Sequence, residues 1–147
     1  MHFGFLTPQA RALVKGGGKT PLIFGEVEFY QRGSCVLVVA DIRNLPKKES
    51  GFYGFHIHSG SSCEGKDFSD SGSHYNPKGT PHPNHAGDLP PLMLCGDRAH
   101  LEVLTDRFKV SEIIGKTVII HNMPDDFKTQ PSGDAGEKIA CGIIKKP

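Results

Sequence analysis

Glycine and proline recur so often along this chain that a helix of ordinary length has no room to form. Eighteen glycines and eleven prolines interrupt 147 residues. Proline removes a backbone donor and fixes φ, and glycine loosens the backbone, so both end regular segments. What survives between them is short and apolar, and much of it is rich in β-branched residues. ARALV (10–14), LIFGEVEFY (22–30), CVLVVADI (35–42), GFYGFHIH (51–58), LMLC (92–95), AHLEVL (99–104), KTVIIH (116–121) and KIACGII (138–144) read as eight strands. KVSEIIG (109–115) fits one helical turn. Eight short strands separated by turn residues predict an all-β antiparallel sandwich or barrel. With no internal repeat and no linker, 1–147 reads as a single domain.

Two segments break this economy, 59–91 and 122–137. Structureless loops longer than about 12–15 residues are uncommon unless they are functional or disordered. A bound metal would explain how the first one keeps its shape.

A net charge of +1 argues against nucleic acid or an anionic membrane as the main partner. No segment approaches the roughly 20 apolar residues of a membrane span. The opening residues MHFGFLTPQARALVKGG lack the features of a secretory signal. The expected location is therefore cytoplasmic, or periplasmic or extracellular if a leader has been removed. Cys35, Cys63, Cys95 and Cys141 show no CxxC spacing, which disfavours a zinc ribbon or a thioredoxin-type site.

Five of the eight histidines fall between positions 56 and 85. In an extended chain, side chains at i and i+2 share a face, so His56 and His58 stand side by side. Alone, such a pair serves equally as the polar face of a half-buried strand or as two metal ligands. The stretch SHYNPKGTPHPNHAGD adds His74, His82, His85 and Asp88, a donor set that suits tetrahedral zinc. His121 ends KTVIIH, where it can meet His56 and His58 from a neighbouring strand. Three imidazoles with an open position suit copper, a metal able to cycle between two oxidation states.

In GFHIH, HYNP, HAGDLP, IIGKTVIIH and GDAGEKIACG, at compatible spacings from about Ala10 to Ile144, the chain resembles the copper–zinc superoxide dismutases. The resemblance implies an eight-stranded Greek-key, immunoglobulin-like barrel or sandwich carrying two long functional loops. It implies dismutation of superoxide to oxygen and hydrogen peroxide by a redox-cycling copper ion, beside a structural zinc ion. His56, His58, His74 and His121 match the family's copper ligands, and His74, His82, His85 and Asp88 its zinc ligands. The resemblance thus makes His74 the shared bridge and a participant in catalysis. Asp125 matches the carboxylate that links a copper-ligand histidine to a zinc-ligand histidine, here expected to be His56 and His82. Cys63 and Cys141 match the family's disulfide. Superoxide is the implied partner, and a homodimer is left open because the family includes dimers and monomers.

One departure stands out. The family's anion-guiding arginine is replaced by Lys138, which keeps the charge but loses the planar fork. Lys138 is expected to guide the anion, with Glu137 weakening the attraction and Lys128 as a helper. Cys35 and Cys95 have no counterpart in the family's disulfide and are expected to be free and far apart. His2 and His100 are expected at the surface. Two other readings compete: a non-catalytic copper- and zinc-binding protein on the same scaffold, and a zinc hydrolase. The first has only the Lys138 change in its favour. A zinc site closed by four protein donors speaks against the second.

Overall fold

A computed structural model describes residues 7–147, so the expectation for His2 lies outside the described residues. Nine antiparallel strands follow one another in the order β1 (Ala10–Gly16), β2 (Phe24–Arg32), β3 (Cys35–Arg43), β4 (Phe52–Tyr53), β5 (Phe55–His58), β6 (Leu92–Cys95), β7 (Arg98–Thr105), β8 (Thr117–His121) and β9 (Lys138–Lys145). A single helical turn, α1 (Val110–Ile113), lies between β7 and β8. The spatial order is β4-β6-β7-β3-β2-β1-β9-β8-β5. β4 and β5 stand at opposite ends of that order yet are separated in sequence only by Gly54, so the chain itself closes the barrel there. Strand connections that skip across the sheet from β3 to β4, and from β7 to β8, give the Greek-key winding.

The all-β expectation holds, and the ninth strand has a simple cause. GFYGFHIH turns a corner at Gly54: Phe52 and Tyr53 pair with β6, whereas Phe55–His58 pairs with β8. The loop 59–91 is not irregular throughout, because Lys66–Ser71 forms a short 3-10 segment.

Alternation decides what fills the barrel. Ala10, Ala12 and Val14 of β1, and Val36, Val38, Ala40 and Ile42 of β3, point inward and are buried. Phe55 and Ile57 of β5, and Val118 and Ile120 of β8, join the same core. On these last two strands the outward residues are buried as well, including His56, His58 and His121. The long loops cover them, so these strands look continuously buried while the chemistry sits on their outer side.

Candidate metal centre

The loop after β5 doubles back along the free edge of β5. Tyr75 N donates to Ile57 O (2.8 Å) and Ile57 N donates to Gly87 O (2.9 Å). These contacts set His74 opposite His58 and Asp88 opposite His56 as isolated antiparallel bridges. A Cβ at Gly87 would lie 2.3 Å from Ile57 O, so only glycine permits this approach. Cys63 ties the same loop to Cys141 on β9 through a disulfide, with Cα atoms 5.8 Å apart. At the other end of β8 the register shifts between Ile120 and His121, leaving His121 opposite Lys138 of β9. Bulges of this kind re-aim a side chain beside functional sites.

The structure brings together every histidine and carboxylate singled out in the two sequence clusters. His56, His58, His74 and His121 form one buried group, and His74, His82, His85 and Asp88 another, with potential donor atoms within 4.8 Å of one another in each. His74 belongs to both. His100 lies at the surface, 3.1 Å from Glu102.

Hydrogen bonds reveal which nitrogen of each ring is left for a metal. A carbonyl oxygen can only accept, so His58 Nδ1 carries a proton toward Gly72 O (2.7 Å). His121 Nδ1 does the same toward Gly136 O (3.1 Å). Burial, reinforced by neighbouring rings, drives the pKa of His58 down to about 2 and that of His121 to about 3, so both rings are neutral. Each Nε2 is then a bare lone pair, and the two lie 3.2 Å apart with no proton between them. Facing lone pairs repel unless a cation sits with them.

Asp125 imposes the opposite orientation on two other rings. His56 Nε2 donates to its Oδ2 and His82 Nε2 to its Oδ1, both at 2.8 Å. That leaves Nδ1 of each ring buried without a hydrogen-bond partner, as is His74 Nε2. His82 Nδ1 lies 3.1 Å from Asp88 Oδ2, close but without hydrogen-bond geometry. His74 Nδ1 is 2.8 Å from Asp88 Oδ1 and 3.1 Å from His85 Nδ1. Burial alone would raise the pKa of Asp125. Hydrogen bonds from His56, His82 and the Phe127 amide outweigh it and hold the carboxylate ionised. Burial likewise depresses His56 and His85. Unpartnered buried lone pairs converging in two sets are what soft-to-borderline metal ions require, and the residues present fit both copper and zinc.

Lys138 is half-buried. Its ammonium donates to Ser71 Oγ (2.7 Å) and Gly72 O (2.8 Å), the same carbonyl that orients His58. Burial lowers its pKa. A cleft lined by His58, His121, Gly136 and Lys138 leads from the surface to the imidazole set. Lys128 is not among its lining residues, and Glu137 pairs with Lys19 at 3.5 Å on the surface. Cys35 and Cys95 are free, at opposite ends of the β3–β7 ladder. Sequence reasoning missed the carbonyls of Gly72 and Gly136, which no side chain announces. It also missed Gly133, with φ of 72°, where a Cβ would lie 2.0 Å from Asp125 Oδ1.

A Greek-key barrel with two adjoining imidazole-rich donor sets sharing one histidine defines a two-metal protein. Residues 23–144 match the family described as Copper/zinc superoxide dismutase (SODC). A superoxide dismutase [Cu-Zn] of Legionella pneumophila is 36% identical, the match covering 87% of this chain and 82% of that relative. Superoxide dismutase [Cu-Zn] 1 of Aquifex aeolicus is 33% identical over 82% of this chain and 79% of its own length. A superoxide dismutase [Cu-Zn] of Caulobacter vibrioides is 31% identical over 92% and 85%. The chain belongs to the copper/zinc superoxide dismutase family, a family of oxidoreductases that use copper and zinc.

Proposed function

We propose that this chain dismutates superoxide at a site assigned residue by residue as follows. His56 Nδ1, His58 Nε2, His121 Nε2 and His74 would hold copper, and His74, His82, His85 and Asp88 would hold zinc. The observation that carries the assignment is that the Nε2 atoms of His58 and His121 lie 3.2 Å apart while the Nδ1 of each ring faces a backbone carbonyl, which places both ring protons away from the pair. Copper supplies a centre that exchanges one electron with each of two superoxide ions, and zinc supplies a fixed positive charge.

The chain's own residues do the rest. Gly72 O, Gly136 O and Asp125 fix the tautomers of His58, His121 and His56, so each of these three rings presents a lone pair and not an N–H. His74 reaches toward Asp88 and His85 through Nδ1. Its Nε2, left without a hydrogen-bond partner, would hold copper and, only when it has let copper go, would be free to take up a proton and deliver it to the departing peroxide. Lys138, beside His58 at the cleft, attracts the anion. Its tether to Ser71 and Gly72 limits how freely the ammonium can reach toward it. Among the described residues no helix is long and apolar enough to cross a membrane. The disulfide supports an oxidising compartment, and among the described residues one sheet wound around one core supports the reading of a single domain.

One assay tests the reading. Metal-free protein given one copper and one zinc per chain should consume superoxide, and protein given zinc alone should not. In the copper-loaded form, Lys138→Glu should lower the second-order rate constant about ten-fold or more with copper content unchanged. Lys138→Arg should raise it, since a guanidinium adds two-pronged hydrogen bonding. Added salt should slow the native protein by screening the attraction. An unchanged rate in fully loaded Lys138→Glu would remove Lys138 from the mechanism.

A further inference from the structure

Two of the four donors in the proposed zinc set, His82 and His85, come from PHPNH (81–85), a stretch that forms neither strand nor helix. Its backbone is nevertheless gripped from two sides. The side-chain amide of Gln130 lies along His82, its Oε1 accepting from His82 N (2.9 Å) and its Nε2 donating to His82 O (2.8 Å). The same Nε2 also reaches Lys128 O (3.1 Å). A primary amide carries the donor and acceptor of a peptide group, so Gln130 behaves toward His82 as a one-residue strand partner. From the turn just past β7, Arg107 Nη1 donates to Pro83 O (2.7 Å) and to His85 O (3.1 Å).

Asp125 holds the His82 ring only at Nε2. A ring pinned at one tip, on a backbone free to move, would still swing its Nδ1 away from the other donors. Gln130 supplies the second fixed point for His82, and Arg107 spans the residues between His82 and His85. Ordering a backbone residue costs conformational entropy. A clamp that is formed on folding removes that cost from metal binding.

We propose that Gln130 and Arg107 are positioning residues for zinc, acting through the main chain of residues 82–85. This rests on the assignment of His74, His82, His85 and Asp88 to zinc. Neither side chain makes a hydrogen bond to His56, His58, His74 or His121, so the effect falls first on zinc retention and reaches copper only through Asp125 and the shared His74.

The test uses the full chain loaded with both metals. Zinc transfer to a chromophoric chelator is timed, the Cu(II) absorption and paramagnetic resonance spectra are recorded, and circular dichroism checks the fold. Gln130→Ala and Arg107→Ala should each release zinc about ten-fold faster or more, the range typical of groups that orient metal ligands. Arg107→Lys, able to keep one carbonyl, should fall between Arg107→Ala and the native protein. Gln130→Glu keeps the size but sets an oxygen against His82 O, so it should release zinc no more slowly than Gln130→Ala. Native zinc release from folded Gln130→Ala and Arg107→Ala would overturn the proposal. So would an equal acceleration of copper and zinc loss, which marks general loosening. A native protein that takes up copper but no zinc would instead overturn the zinc assignment beneath it.

Discussion

Asp125→Asn is expected to weaken metal binding about 10–100-fold, with a matching loss of activity at limiting metal. The carboxylate accepts from His56 Nε2 and His82 Nε2 through separate oxygens, and its side chain is almost wholly buried. An asparagine keeps one acceptor oxygen and places an NH₂ donor against the other ring. That ring must move its proton from Nε2 to Nδ1, which converts the lone pair meant for the metal into an N–H. One substitution thus removes a donor without touching a ligand. Asp125→Ala frees both rings and should weaken both metals. The measurement is competition with a chelator of known affinity, run separately for copper and zinc. Native affinity for both metals in Asp125→Asn would mean that the carboxylate does not set the tautomers.

Breaking the Cys63–Cys141 bond should produce the largest loss of stability. The bond closes a loop with a sequence separation of 78. In the chain-entropy picture a loop of that length contributes about 4 kcal/mol by restricting the unfolded chain. For a chain of this size that corresponds to a fall in Tm of roughly 10 °C. The bond also joins β9, which begins at Lys138, to the loop that carries Gly72 and His74. Reduction, or Cys63→Ser, should therefore lower Tm and loosen the environment of His58 together. Thermal unfolding followed with and without reductant checks this, with Cys35→Ser and Cys95→Ser as controls expected to change little. A reduced protein that melts within a degree or two of the oxidised form would contradict the account.

Much of the site was legible in the sequence because metal chemistry is carried by residue type. Histidines and a carboxylate clustered in order mark a metal site by residue type, His-x-His on a strand has only one way to share a face, and the pairing of Cys63 with Cys141 came from the family resemblance. The strands were readable from turn residues and alternation, but the corner at Gly54 was not. A glycine between two apolar pairs looks the same whether the strand continues or changes partner. What decides tautomers was equally hidden, since Gly72 and Gly136 act through carbonyls that every residue possesses. The position of Lys138 beside His121 depends on a one-residue register shift between β8 and β9, which no local pattern encodes. Gln130 gave no signal because its role is to bond a main chain 48 residues away in sequence.

In the proposed site one imidazole, His74, is shared by two metal ions. Loading both sites of the metal-free protein with Cu(II) and recording the electron paramagnetic resonance spectrum at low temperature tests it most directly. Two Cu(II) ions joined through one imidazole couple their spins, so the account predicts that most of the signal disappears at two copper ions per chain. It should return when His74 is replaced by alanine and copper remains bound. Two full, independent Cu(II) signals from the native chain at that loading would contradict the shared histidine.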